Sequence, residues 1–157
     1  MPFVELQSIK SHLSNHQCLL GLDLGSKTIG LAVSDPSFLI ASPIETIKRT
    51  KFTPDANRLM EIHKDRQIGG WVLGLPVEMD GKEGPRCQST RQFAENFMGL
   101  SDLPIALWDE RLSSSAVNRF LISEADMTRK RRGQVVDKMA AGYILQGALD
   151  SLGFGSL

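Results

Sequence analysis

Residues 19–35 read LLGLDLGSKTIGLAVSD. An apolar strand, a tight glycine-containing turn and a second apolar strand account for the pattern. Asp23 stands in the first strand between Leu22 and Leu24. A carboxylate in a run that otherwise favours burial is costly unless something pairs with it. Two explanations fit the stretch alone. Asp23 can hydrogen-bond the turn Gly25-Ser26-Lys27 from a strand end, or it can be a metal-binding or catalytic acid at the edge of a buried sheet. Strand periodicity places Leu19, Gly21 and Asp23 on one face and Leu20, Leu22 and Leu24 on the other. Gly21 leaves room for a close approach to the backbone.

Outward from this hairpin, residues 38–47, FLIASPIETI, predict a third strand, with Pro43 marking an edge or a bulge. Three closely connected strands imply an antiparallel meander. A helix is expected from Thr53, which can cap it, with Pro54 in its first turn, to about Arg66. Residues 68–75 read as a buried strand and 86–99 as a second helix. Residues 103–108 read as a fifth strand, 112–123 as a helix, 126–133 as a polar cationic stretch and 134–152 as a closing helix. The order β-β-β-α-β-α-β-α-α predicts an α/β fold: a mixed five-stranded sheet, three antiparallel strands then two βα crossovers, with helices on both faces. Residues 1–17 form a leader in which Phe3, Leu6, Ile9 or Lys10, and Leu13 suggest a short docking helix. Residues 18–157 read as one domain.

The totals exclude several classes. The chain has 157 residues, 41% hydrophobic and 23% charged, as ordinary globular domains do. Lys plus Arg equals Asp plus Glu at 18 each, so net charge offers no argument for a polyanionic partner. Cys18 and Cys87 match no zinc spacing and are too few for a disulfide scaffold; reduced thiols are expected. His12, His16 and His63 are scattered and lack metal-ligand spacing. No cationic region followed by an apolar run opens the chain, and no apolar run reaches the roughly 18 residues of a membrane span. A soluble cytoplasmic protein without a membrane partner is the expectation.

Two further carboxylates bear on Asp23. Glu110 follows the apolar run LPIALW at its C-terminal end, where open α/β sheets gather ligands. Asp109-Glu110-Arg111 also suits a helix N-terminus, where acids complement the dipole. Asp137 precedes Ala140, Ala141, Ile144 and Ala148 by three, four, seven and eleven residues, so it shares the small apolar face of the last helix. A polar stripe runs elsewhere on that helix, through Lys138, Gly142, Gln146 and Asp150. An acid on a packing face needs a partner. Three clustered carboxylates repel one another unless a divalent cation compensates them, and oxygen-only ligation favours Mg²⁺ or Mn²⁺. Two such ions, held about 3.5–4 Å apart with substrate, activate water and stabilise the leaving oxygen in phosphodiester hydrolysis.

Four blocks, GLDLGSKTIGLAVSD at 21–35, VLGLPVEMDGKEGP at 72–85, DERLSS at 109–114 and VVDKMAAGYILQGALD at 135–150, occur in order. In these the sequence resembles the YqgF family, also called RuvX, of pre-ribosomal-RNA nucleases and Holliday-junction-resolvase-like proteins. The resemblance implies an RNase H-like fold and a catalytic, metal-binding acidic set at Asp23, Glu110 and Asp137. It departs at Thr28, where many relatives carry arginine; this bears on one phosphate contact and leaves the acidic centre intact. The implied activity is Mg²⁺- or Mn²⁺-dependent phosphodiester cleavage in 5′-end processing of precursor 16S ribosomal RNA. Resolution of four-way DNA junctions is the alternative. The implied partner is nucleic acid, precursor rRNA or branched DNA, with the ribosomal precursor particle as a further partner; a monomer or homodimer is expected.

Arg129-Lys130-Arg131-Arg132 is the densest basic run and stands just before the predicted helix that carries Asp137. Phosphate contact or a solvated loop explains it. Lys27 and Arg111 lie in the family blocks and Arg86 directly follows one; all three are further candidates for positioning phosphates. Trp71 and Trp108 fall in apolar strands and are assigned to the core. Two rival classes differ in testable ways. GLDLGSKTIG also looks like the first phosphate loop of the actin, sugar-kinase and chaperone-ATPase group, but no second such block follows. A binding module that does not cut would not need all three acids.

Overall fold

The computed structural model describes residues 3–78, 80–112 and 129–155; the side chains of residues 112, 129–138, 154 and 155 fall outside that description. Five strands form one sheet: β1 (Cys18–Leu24), β2 (Thr28–Ser34), β3 (Ala41–Lys48), β4 (Ile68–Leu75) and β5 (Ile105–Asp109). Their order is β3-β2-β1-β4-β5. β1 pairs antiparallel with β2, and β2 with β3. β4 pairs parallel with β1 on one side and with β5 on the other. Among the described residues the α-helices are α1 (Phe52–Arg66), α2 (Pro85–Met98) and α3 (Arg129–Gly155).

β1 is central and buried at all seven positions, because both of its faces are covered. On one face Leu20, Leu22, Leu24, Ile29, Leu31 and Leu73 pack against Ala56, Leu59 and Ile62 of α1 and Phe93, Ala94 and Phe97 of α2. On the other, Leu19, Ala32, Val72, Ala106 and Trp108 meet Ala141, Ile144, Leu145, Ala148, Leu149 and Leu152 of α3. The expected small face of the closing helix is thus its packing face. Gly21 explains the close approach: a Cβ there would lie 2.8 Å from Leu145 Cβ. Ile9, on a 3-10 helix spanning Leu6–His12, is fully buried in the same cluster. Trp71 and Trp108 are both core residues, and Cys18 and Cys87 are buried free thiols. Burial pushes both thiols above their ordinary pKa. Among the described residues no helix is long and apolar enough to cross a membrane.

Several predicted boundaries move. β3 begins at Ala41 rather than 38, because the Asp35 carboxylate accepts the backbone N–H of Ser37, Leu39 and Ile40 at 3.3, 2.8 and 2.9 Å and holds a turn there. β3 is an edge strand, and the pairing register slips beside Pro43, as expected of a proline. β5 begins at Ile105, since Pro104 has no N–H and the Ser101 hydroxyl takes that of Leu103. α1 is entered at Lys51, not Thr53, and Asp55 accepts from both the N–H and the hydroxyl of Thr50. α3 begins at Arg129, five residues before the expected start. Gly133 costs a helix only about 1 kcal/mol, and helix-favouring Arg, Lys and Gln surround it. The basic run therefore opens the helix instead of preceding it, and Asp137 lies in the third turn instead of the first. The predicted polar stripe of this helix is partly covered: Gly142 is buried near Pro43, and Gln146 bonds Ala41 N–H at 2.9 Å and Leu39 O at 2.9 Å. Residues 113–123 of the predicted helix and 126–128 of the predicted cationic stretch lie outside the described residues.

Candidate active site

Alternation along β1 turns Asp23 to the α3 face at the C-terminal end of the strand, where it is 5% exposed. Its neighbours across the sheet are small. On β2 its partner is Gly30. On β4, pairing runs through Leu22 and Leu73, so Asp23 and Gly74 come next on their strands. Adjacent strands lie about 4.8 Å apart, which sets the Asp23 and Gly74 backbones side by side.

Gly74 pairs with Trp108 of β5, two residues before Glu110. The chain turns after Asp109 into a short 3-10 helix, Glu110–Leu112, and this brings Glu110 back over the sheet. A Cβ built at position 74 would lie 2.6 Å from Glu110 Oε1 and 2.6 Å from Ile144 Cδ1. The missing side chain at Gly74 is the space the Glu110 carboxylate occupies, and α3 closes its far side. Asp23 and Glu110 are therefore both placed beside Gly74 on the α3 face, at the C-terminal ends of two strands.

Asp109, by contrast, is engaged elsewhere. It accepts Arg111 Nη2 at 2.6 Å and Nε at 3.1 Å, and the backbone N–H of Arg111 at 2.9 Å. The guanidinium holds the Asp109 carboxyl below the usual carboxylate range, with that backbone N–H adding to the effect. Arg111, a predicted phosphate contact, thus spends its planar fork on Asp109. Lys27 and Arg86 lie together on the other side of the β1 tip, in a cleft that the β1–β2 turn and α2 line. Arg129, Lys130, Arg131 and Arg132 open α3, and their side chains lie outside the described residues. So does the side chain of Asp137, whose position is one turn before buried Ala141.

Two contributors escape a sequence reading. Gly74 matters through its neighbours in space, and only the phrase GLP at a strand end hints at it. Arg49 joins Lys27 and Arg86 in the cleft; its one signal is the short basic cluster Lys48, Arg49 and Lys51.

The donor set can be tested for a divalent cation. Asp23 and Glu110 supply only hard carboxylate oxygens, and the lack of a Cβ at Gly74 is what lets the Glu110 carboxylate lie over the strand. That chemistry suits Mg²⁺ or Mn²⁺ and not a softer metal. Among the described residues no group of three or more His, Cys, Asp or Glu gathers at one point. The two acids described here would hold a cation only with further oxygens from elsewhere.

Comparison with known proteins bears on this geometry. A family model described as "RuvX: Holliday junction resolvase" matches residues 17–151. A protein of Rhodospirillum rubrum is 60% identical over 152 residues, covering 97% of this chain and 94% of its own. One from Paramagnetospirillum magneticum is 63% identical over 151 residues, covering 96% and 97%. Both carry the name "Putative pre-16S rRNA nuclease". Among solved structures, Thermus thermophilus RuvC bound to a Holliday junction substrate superposes with a TM-score of 0.54 at 13% identity, over 87% of this chain and 95% of that one. A second T. thermophilus RuvC structure gives 0.53 at 11% identity, over 88% and 97%. These likenesses establish the fold as RuvC-like, that is, RNase H-like. With a family match across most of its length and relatives at this identity, the chain belongs to the RuvX family.

Proposed function

We propose that this protein is a metal-dependent nuclease that hydrolyses phosphodiester bonds, with precursor 16S ribosomal RNA as its substrate. The observation that carries the reading is the placing of both Asp23 and Glu110 beside Gly74, Asp23 by strand register and Glu110 by its carboxylate over that glycine. Gly30 and Gly74 put no side chain of their own beside Asp23, and the Glu110 carboxylate takes the place at Gly74. Burial of Asp23 on the α3 face limits water around its carboxylate and strengthens its interaction with any cation. Asp137, on the same stripe of α3 as Ala141, is the third acid, assigned from the family pattern and its helical position. Bound by these carboxylates, Mg²⁺ or Mn²⁺ would activate a water and stabilise the leaving oxygen. The names of the close relatives support the rRNA substrate.

The reading is tested by incubating the protein with precursor 16S rRNA and with a four-way DNA junction, side by side, with and without Mg²⁺ or Mn²⁺. Cleavage of the RNA that requires the metal is expected. Asp23→Asn should reduce it by about a hundredfold or more, the scale of removing one group aimed at developing charge, with the thermal melt retained. Undiminished cleavage by that variant sinks the role of Asp23. The family model's description favours the junction, so faster cutting of the junction would transfer the assignment to DNA.

A further inference from the structure

A cleft of about 510 Å³ opens on the α2 side of the β1–β2 turn, across the strand tip from Asp23. Lys27, Arg49 and Arg86 bring charge to it, and Ser26, Ser89 and Thr90 bring hydroxyls. None of its described lining residues is acidic, and among the described residues none of the three cations forms a salt bridge. In a chain whose charges balance overall, this is a local positive excess.

Arg49 is held in place rather than loosely displayed. Arg49 donates from Nη1 to the Gly25 carbonyl at 2.6 Å, and its guanidinium lies over the Phe93 ring at 5.9 Å. Its backbone N–H donates to the Lys27 carbonyl at 2.8 Å, tying the β3–α1 connection to the turn. Arg86 reaches the carbonyl of Leu24, the residue after Asp23, at 3.5 Å. A guanidinium has five N–H donors, so the contacts of Arg49 fix its fork and both arginines keep donors for a ligand. Lys27 and Arg86 are exposed, so the cleft is open to an extended ligand.

We propose that this cleft is a second phosphate subsite, which grips a backbone phosphate of the nucleic-acid strand next to the one presented to Asp23 and Glu110. Arg49 is its organising residue, with Lys27 and Arg86. The proposal rests on the nuclease reading for its choice of strand, but its chemistry is that of any phosphate. Because acids lie on one side of the β1 tip and cations on the other, a strand crossing the tip meets both. The contact is to the backbone and reads no base.

The test measures binding of the full chain to a fluorescein-labelled single-stranded RNA in EDTA, across a series of salt concentrations. Wild type is compared with Arg49→Met, Arg49→Lys, Lys27→Gln and Arg86→Gln. Each charge removal should weaken binding and flatten the slope of log K against log salt by about 0.7, the value for one phosphate on a single strand. Arg49→Lys should restore the slope. Unchanged slopes in variants that melt as wild type does would overturn the subsite. If Arg49→Met does not fold, the exposed Lys27→Gln and Arg86→Gln decide by the same criterion. AMP and inorganic phosphate form a second arm: tight, Arg49-dependent AMP binding with no change in the RNA slope would make a free nucleotide the occupant and overturn the strand assignment. Wild-type cleavage with unchanged slopes refutes the subsite alone, whereas flattened slopes without wild-type cleavage refute the nuclease reading and support the subsite.

Discussion

Alanine at position 74 would place its Cβ 2.6 Å from both Glu110 Oε1 and Ile144 Cδ1. The carboxylate can swing away; the buried isoleucine and the helix behind it cannot move without loosening the core. Gly74→Ala should therefore cost about 1–3 kcal/mol in a urea titration, as overpacking does. It should also lower cleavage at least tenfold by displacing Glu110. A full-rate Gly74→Ala enzyme would show that Glu110 need not lie over Gly74. The surroundings of Asp23 were only half legible. Its face and its companion Gly21 follow from alternation, but Gly30 and Gly74 become its neighbours through strand pairing, which no single strand reveals.

At the scale of elements, the β2–β3 connection depends on one side chain. Asp35 accepts three backbone N–H groups, and Phe38 within that turn has φ +60°. These bonds, that to Ile40 first, hold the Asp35 carboxyl below its ordinary value. Asp35→Ala should destabilise the protein by about 1 kcal/mol, as loss of a capping side chain does, measured by urea titration at pH 7. α3 invites the opposite change. A Cβ at Gly153 would meet nothing within 4 Å, so Gly153→Ala should raise the melting temperature, gaining up to about 1 kcal/mol from helix propensity. Element starts were harder to read than elements. Thr53 looked like a cap, yet Asp55 bonding back to Thr50 lets α1 begin earlier. Gly133 looked like a boundary, yet it falls inside a helix of 27 residues.

For the whole molecule, charge acts locally. Arg58 holds the Glu45 carboxyl low and Arg111 holds that of Asp109 low. A carboxylate whose folded pKa lies below its unfolded value contributes stability that is complete above the unfolded value and is lost as pH falls through the folded one. The urea midpoint should thus stay level from pH 7 to about 5 and fall below about pH 4, the ordinary carboxylate range. Glu45→Gln and Asp109→Asn should each shallow that fall; an unchanged profile in both would remove these pairs as its cause. The same separation of charge puts acids on one side of the β1 tip and a cationic cleft on the other, although the chain is neutral overall.

By itself, the sequence determined the strand–turn–strand around Asp23, the mixed α/β order, the small packing face of the last helix and the acid at the end of β5. Each of these follows from side-chain period or from a residue's place along its own element. Tertiary structure alone decided that Asp23 stands beside Gly30 and Gly74, that Glu110 folds back over Gly74, and that Arg49 joins Lys27 and Arg86. Those groupings depend on register between strands and on how loops return to the sheet. Such contacts join residues far apart in the chain, so no local pattern encodes them.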